Sequence, residues 1–244
     1  MKKYTIKILT LNIHKGWSFG KRNNTLEKIK KNILNSGANI ACLQEVVGAY
    51  PDLAKKSQFE FLADQIWPHY AYGKNAVYSK GHHGNAILSQ IPFVKFENFD
   101  ISSYPIERRG ILHTEICLPN YSENLHVMTL HLDLLAWSRK KQIAKLCHLI
   151  DLRVPKNSPL IVCGDFNDWG EEVSVHLNQN SLLQEAHFLH TGSHAKTFPT
   201  VFPILKLDRL YFRNLKLKHI SRPDTDSWHE LSDHLPLYAE FGQP

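Results

Sequence analysis

The sequence predicts an α/β fold in which β-sheets pack on one another and helices flank them. Short runs rich in Ile, Val, Leu and Thr recur along all 244 residues, at lengths that suit strands. Amphipathic helical patterns are about half as many and fall mostly in the first two thirds, which leaves sheet as the main structure. No internal repeat, low-complexity tract or Gly/Ser linker interrupts the chain, so residues 1–244 read as a single domain.

The elements follow in order. Residues 4–13 form the first predicted strand. Asn24 stands where a helix N-cap belongs; Leu26, Ile29, Ile33 and Leu34 share one face of the helix that follows, and Gly37 supplies its stop. Residues 38–46 (ANIACLQEV) read as a buried strand ending in charge, and residues 52–66 as a second helix. Strands are predicted around Tyr70 and at 85–89, 93–99, 111–118 and 125–130. The clearest helix is 138–152, because Ile143, Leu146, Cys147 and Ile150 fall at i, i+3, i+4 and i+7. A short apolar strand at 159–164 precedes later strands at 206–212, 215–220 and 235–241.

Lys and Arg (29) exceed Asp and Glu (23), and the net charge of +6 gives a mild long-range preference for a phosphate-bearing partner. The 15 histidines carry more information, because imidazole ligates metals and titrates near neutrality. Cys42, Cys117, Cys147 and Cys163 show neither CxxC nor zinc spacing. Each lies in an apolar stretch, which reads as reduced, buried packing in a cytosolic compartment, with a disulfide between two of them left open. The N-terminus begins with two lysines as a secretory leader does, but Lys7, Asn12 and His14 break its apolar stretch. No apolar run approaches the roughly 20 residues of a membrane span. A soluble, cytoplasmic monomer without a transmembrane segment is therefore expected, and a peripheral membrane role stays open.

Polar residues recur at the ends of predicted strands. Asn12 and His14 follow the first, Gln44 and Glu45 end the second, and His131 and Asp133 follow 125–130. Asp165, Asn167 and Asp168 follow PLIVCG, Asp208 lies inside KLDRLYF, and Ser232, Asp233 and His234 precede the last strand. Singly, each reads as a turn residue, a cap or a satisfied structural group. Glu45 is the exception: it puts a carboxylate into a nearly continuous apolar segment, where it needs a cation. Jointly, carboxylates, amides and imidazoles delivered from strand ends are how a layered fold builds a site on a rigid scaffold.

These residues carry a resemblance. LNIHKG (11–16), LQEV (43–46), GNAILS (84–89), HLD (131–133), GDFND (164–168), LDRLYF (207–212) and SDHLP (232–236) occur in the order found in the endonuclease/exonuclease/phosphatase superfamily. The chain resembles that family over nearly its whole length. The resemblance implies a four-layer α/β sandwich, two mixed sheets face to face with helices outside, and a divalent-metal site at one edge. It implies a hydrolase of phosphodiester bonds using Mg²⁺, with Mn²⁺ as a substitute. By the same resemblance Glu45 is the principal metal ligand, with Asn12 and Asp233 beside it. Asp165 activates the attacking water, Asn167 holds that water or a phosphate oxygen, and His234, oriented by Asp208, contacts the phosphate. His131 stabilises the phosphate or the leaving oxygen. Ser232 reads as structural, since nothing in this chemistry needs a covalent intermediate.

The chemistry asks for the same residue types independently. A hard cation neutralises the charge that develops on phosphorus oxygens, and Mg²⁺ takes a few carboxylate or amide oxygens while keeping water. A positioned carboxylate and imidazole move the protons, a contribution of roughly 10²- to 10⁴-fold. One departure stands out: His14 occupies the position, two after the motif asparagine, where abasic-site endonucleases carry an acidic residue. His14 and Lys15 therefore face either phosphate or solvent. Further substrate-binding candidates are Asn85, Arg108 and Arg109; strand alternation aims one of the two arginines inward, toward a phosphate or a carboxylate such as Glu107. Arg139, Lys140 and Lys141 read as a solvated face at a helix start. Nucleic acid is the favoured substrate, a phospholipid or small phosphate ester is the alternative, and a non-catalytic binding module is the third reading.

Overall fold

The eleven predicted strands, with a two-residue strand at Gln184–Glu185 that was not predicted, assemble into two six-stranded mixed sheets. The computed structural model describes residues 4–20, 23–49, 57–64, 66–78 and 81–244. In chain order its elements are β1 (Ile6–Asn12), α1 (Leu26–Asn35), β2 (Ile40–Ala49), α2 (Gln58–Ala63), β3 (His69–Tyr78), β4 (Gly81–Ser89), β5 (Phe93–Asp100), β6 (Gly110–Ile116), β7 (Leu125–His131), α3 (Ala136–Arg153), β8 (Leu160–Asp165), α4 (Val173–Ser181), β9 (Gln184–Glu185), α5 (Ala186–Thr191), β10 (Asp208–Arg213), β11 (Lys216–Ser221), α6 (Asp226–His229) and β12 (Leu237–Gly242). One sheet runs β11-β12-β1-β2-β4-β3 and the other β5-β6-β7-β8-β10-β9.

Both faces of the central strands are covered, which is why they read as continuous apolar runs rather than as alternation. Between the sheets lie Ile6, Ile8, Cys42, Ile87, Val127, Ile161, Cys163, Leu210 and Ala239. The other face of the first sheet packs Leu9, Leu11 and Leu43 against Leu26, Ile29 and Ile33 of α1, Leu62 of α2 and Trp228 of α6. The outer face of the second packs Met128, Leu130 and Val162 against Ile143, Leu146 and Ile150 of α3 and Leu177 of α4. Four layers result, in the order helix, sheet, sheet, helix. Each fully buried isoleucine of this kind contributes roughly 1.5–3 kcal/mol through removal from water.

Several sequence-based expectations are corrected. Leu34 does not join the buried face of α1; it is 45% exposed, and Lys30 lies on that face instead. The Lys30 ammonium stands over the Phe61 ring, 4.6 Å from its centroid, and pairs at 2.7 Å with the exposed carboxylate of Glu27. Thr25 occupies the N-cap position, and Asn24 Oδ1 accepts from Leu26 N at 3.1 Å. Of the helix expected at 52–66, residues 52–56 and 65 lie outside the described residues, and α2 starts with a capping box formed by Ser57 at its N-cap and Glu60 in its first turn. Helices are not concentrated in the first two thirds. The last third holds α4, where Asp168 accepts from Glu172 N and Val173 N, and α5, where Glu185 accepts from His187 N and Phe188 N.

All four cysteines are free thiols; Cys42 and Cys163 are buried, but Cys117 is exposed. Burial and the adjacent Cys163 raise the Cys42 thiol well above its usual range. Among the described residues, no helix is long and apolar enough to cross a membrane.

Candidate active site

At one end of the sandwich the rows of side chains facing between the sheets change from apolar to polar. In β1 the row Ile6, Ile8 continues as Thr10 and Asn12; in β7, Leu125 and Val127 continue as Thr129 and His131. In β8, Ile161 and Cys163 lead to Asp165, and β10 enters the sheet at Asp208 before Leu210 and Phe212. Register then aligns these ends, since His131 and Asp208 are both backbone neighbours of Asp165. Asp208 thus starts its strand rather than lying within it, because β10 runs antiparallel to β8.

Glu45 reaches the site by a different route. Leu43 pairs with Ala86 and Val46 with Gly84, so Gln44 and Glu45 together face Asn85 alone, a β-bulge. Gln44 keeps its place between the sheets, donating to Thr10 Oγ1 at 3.2 Å and across to Thr129 Oγ1 at 2.9 Å. Val46 resumes the outer row, which makes Glu45 the inserted residue. Its φ of +56° is uncommon for a residue with a Cβ, and His14, Lys15 and Asn167 are also left-handed at +46°, +54° and +48°. Half of the eight non-glycine residues with positive φ among the described residues therefore border this pocket, where backbone strain is characteristically held.

Asp165 Oδ2 is the hub. Asn12 Nδ2 donates to it at 3.1 Å, and His131 Nε2 and His234 Nε2 lie 3.4 and 3.7 Å away. Asn12 Nδ2 also approaches Glu45 Oε1 at 3.5 Å, and His131 Nδ1 stands 4.0 Å from that oxygen. Behind His234, Asp208 Oδ2 accepts from Nδ1 at 2.8 Å and from Thr197 Oγ1 at 2.5 Å, which fixes the ring. The other Asp208 oxygen is buried without a partner. The Phe198 ring covers His234 at 4.9 Å. Asn167 N donates to Asp165 Oδ1 at 3.0 Å, an Asx turn, and its amide donates to Leu132 O at 2.9 Å.

The two histidines carry opposite charge states. Burial alone depresses His234, but Asp208 and Asp165 outweigh it and raise its pKa to about 10. Burial and the positive charges of Arg109, His234 and Lys15 instead hold His131 well below its usual value. Burial, helped by Asp208 and opposed by His234, lifts Asp165 to about 6. One pocket thus holds an imidazolium, a neutral imidazole and a carboxyl group poised near neutrality, the kind of separation that assigns acid and base roles.

The remaining candidates divide. Asp233 is tied in by Ser232, whose hydroxyl donates to Asn12 O at 2.6 Å, and its carboxylate lies 3.8 Å from His14 Nε2. Asn85 donates to Gly110 O at 3.0 Å, so its amide nitrogen braces one sheet against the other. Arg109 is the inward arginine, pairing with Glu107 at 2.6 Å while its charge acts on His131. Arg108 points elsewhere, to Asp100 at 3.3 Å in solvent, and is not brought into the pocket. Arg139 is not solvated: it is buried, donating to Leu134 O at 2.5 Å under the Trp169 ring, while Lys140 and Lys141 are exposed. His83 escaped notice in the sequence; burial and Lys15 pull it down to about 4. Its signal was the period of two that puts it on the row of Asn85 and Ile87.

The donor set fits a hard divalent cation. Among the described residues Glu45 forms no ion pair with lysine or arginine, and His131, 4.0 Å away, is held neutral. Asn12 presents its amide nitrogen to the carboxylates while its oxygen accepts from His14 N at 3.0 Å, so ligation through that oxygen requires the amide to turn.

Gly164, the residue before Asp165, has a φ of +139°, and a Cβ there would stand 2.0 Å from Leu130 O. Gly164→Ala is expected to cost about 3 kcal/mol or more by forcing β7 and β8 apart. Urea denaturation reads this directly; an unchanged midpoint would show that the close strand approach is not required.

Comparison with known proteins agrees with this architecture. A model of the Endonuclease/Exonuclease/phosphatase family matches residues 9–234. The protein YbhP of Escherichia coli (strain K12) is 39% identical over 250 residues, covering 98% of this chain and 97% of YbhP. An endonuclease/exonuclease/phosphatase structure from Beutenbergia cavernae superposes with a TM-score of 0.85 at 17% identity, covering 99% of this chain and 72% of that one. The human Nocturnin catalytic domain with bound sulfate gives 0.79 at 21% identity, covering 98% and 94%. A four-layer sandwich with its polar residues gathered at one edge, and a sequence match across nearly its full length, make this chain a member of the endonuclease/exonuclease/phosphatase family of phosphoester hydrolases.

Proposed function

We propose that the protein is a divalent-metal-dependent phosphodiester hydrolase. The observation that carries the reading is the convergence of Asn12, His131 and His234 on Asp165 Oδ2, with Glu45 in the same pocket. Glu45, with Asn12 and Asp233 beside it, would hold Mg²⁺ or Mn²⁺, which supplies charge neutralisation to the phosphate. Asp165 takes the proton of the attacking water, a task suited to a carboxylate whose pKa lies near the working pH. Asn167 holds that water or a phosphate oxygen. His234, cationic and fixed by Asp208, faces the phosphate and neutralises its developing charge; neutral His131 donates a hydrogen bond to the phosphate or the leaving oxygen.

Nucleic acid is the substrate class we favour, and the cytoplasm the expected location. Arg109 and Lys15 supply positive charge at the pocket, with the His14 ring beside them. The loops after β1 and β8 and the first turn of α3 also carry the exposed rings of Trp17, Trp169 and Trp137, two of them beside Arg139 and Lys141. Exposed rings next to cations suit stacked bases along a phosphate backbone. A phospholipid is the second reading, because Leu134, Leu135, Val201 and Phe202 are exposed on the same side.

The test is hydrolysis of plasmid, single-stranded DNA, phospholipid vesicles, inositol phosphates and bis-p-nitrophenyl phosphate, with Mg²⁺ or Mn²⁺ and again with EDTA. Metal-dependent turnover of any of the diesters supports the reading, turnover of inositol phosphates alone would make the protein a monoesterase instead, and salt inhibition confined to DNA selects nucleic acid. Absence of turnover on every substrate overturns it. Arg109→Ala is expected to raise KM about 10-fold with a smaller change in kcat, as loss of one phosphate contact should. An unchanged KM would return Arg109 to a structural pair with Glu107.

A further inference from the structure

A second cluster of ligand side chains lies far from this pocket. His113 and Glu115 of β6 alternate with the core residues Leu112 and Ile116, so they face the outer side of the second sheet. His126 of β7 is the cross-strand partner of Glu115. It stands five residues before His131, about 16 Å away along the strand at roughly 3.3 Å per residue, and on the opposite face. His113 Nε2 and His126 Nδ1 are 2.9 Å apart, Glu115 Oε1 is 3.9 Å from His126 Nδ1, and the three ligand atoms lie within 4.8 Å of one another.

We propose that His113, Glu115 and His126 form a Zn²⁺-type transition-metal site that clips β6 to β7. A tetrahedral zinc ion held at its usual bond lengths places neighbouring ligand atoms about 3.4 Å apart. The observed separations bracket that value, so small side-chain rotations satisfy it. Two imidazoles and one carboxylate select zinc, cobalt or nickel over Mg²⁺. Both rings are buried, and the Phe99 ring lies beside His113, 6.4 Å between centroids. The only competitor for Glu115 in the described surroundings is Lys95, at 3.0 Å on a side chain 61% exposed. Only the lysine of that pair is exposed, and its flexible, solvated stem can swing away from the mostly buried Glu115. In the metal-free protein, one ring donates its N–H to the other, which is an adequate but lesser use of two buried imidazoles.

The test uses the full chain stripped with EDTA and titrated with Co²⁺ in excess Mg²⁺, following the visible d–d absorption. One equivalent should bind, be displaced by Zn²⁺, and persist in Glu45→Gln. Affinity should fall at least about 10-fold in His126→Gln and in Glu115→Gln, with circular dichroism confirming that each variant is folded. Glu115→Gln alters a partly exposed side chain and keeps its shape, so it remains informative if His126→Gln does not fold. Absence of a bound equivalent, binding unchanged in the folded variants, or binding abolished by Glu45→Gln would each overturn the proposal. None of these outcomes depends on whether the protein hydrolyses phosphodiesters.

Discussion

Glu45→Gln should lower metal-dependent kcat/KM by about 10³-fold, equivalent to about 4 kcal/mol of transition-state stabilisation. The substitution keeps the shape of the side chain and removes only its charge. Glu45 is the inserted residue of a bulge, outside the alternation that packs β2, so the core beside it is not asked to move. Its thermal midpoint should consequently stay within a few degrees of the parent, or rise slightly in metal-free buffer as a left-handed, partly buried carboxylate loses its charge. The measurement is kcat/KM across a Mg²⁺ titration, beside a thermal melt. Activity that persists at ordinary Mg²⁺ would remove Glu45 from the proposed metal site and the mechanism with it.

His234→Gln and Asp208→Asn should each reduce kcat about 10²- to 10³-fold, and the double variant should be little worse than either alone. The two side chains act as one unit: Asp208 Oδ2 holds Nδ1 at 2.8 Å, fixing the ring and favouring the charged form that faces the phosphate. Groups that function together lose their effect together, so their costs do not add. Stability behaves differently from rate. Removing His234 leaves Asp165 and Asp208 buried beside each other without the cation that separates them, which typically costs about 3–5 kcal/mol. Asp208→Asn relieves part of that repulsion and should be the more stable variant. Additive losses of kcat in the double variant would mean that Asp208 does not act through His234.

The residues gathered around Asp165 were legible in the sequence because each is a polar side chain at the end of an otherwise apolar strand. His83 was not, because two adjacent histidines give no sign of which one turns inward until the β4 row is anchored by Ile87. Arg108 and Arg109 posed the same question, and strand alternation said only that one of them would enter. The helices α4 and α5 were missed because each is short, and each begins on a buried carboxylate, Asp168 or Glu185, that in sequence reads as a turn or strand residue. Leu34 and Arg139 were misplaced for related reasons. A helical period defines a face but not its width, and the long side chains of Lys30 and Arg139 occupy the buried margin with their charged heads partnered there.

Sequence by itself marked residues 38–46 as a buried strand, because so nearly continuous an apolar run is covered on both sides, and it marked Glu45 as a charge that such a strand does not tolerate without a reason. Tertiary structure decided what that reason is. The bulge lifts Glu45 out of the row, and the register of β7, β8 and β10 brings His131, Asp165 and Asp208 side by side. Bulges and register arise from contacts between residues far apart in the chain, and a local pattern of side chains carries no information about them.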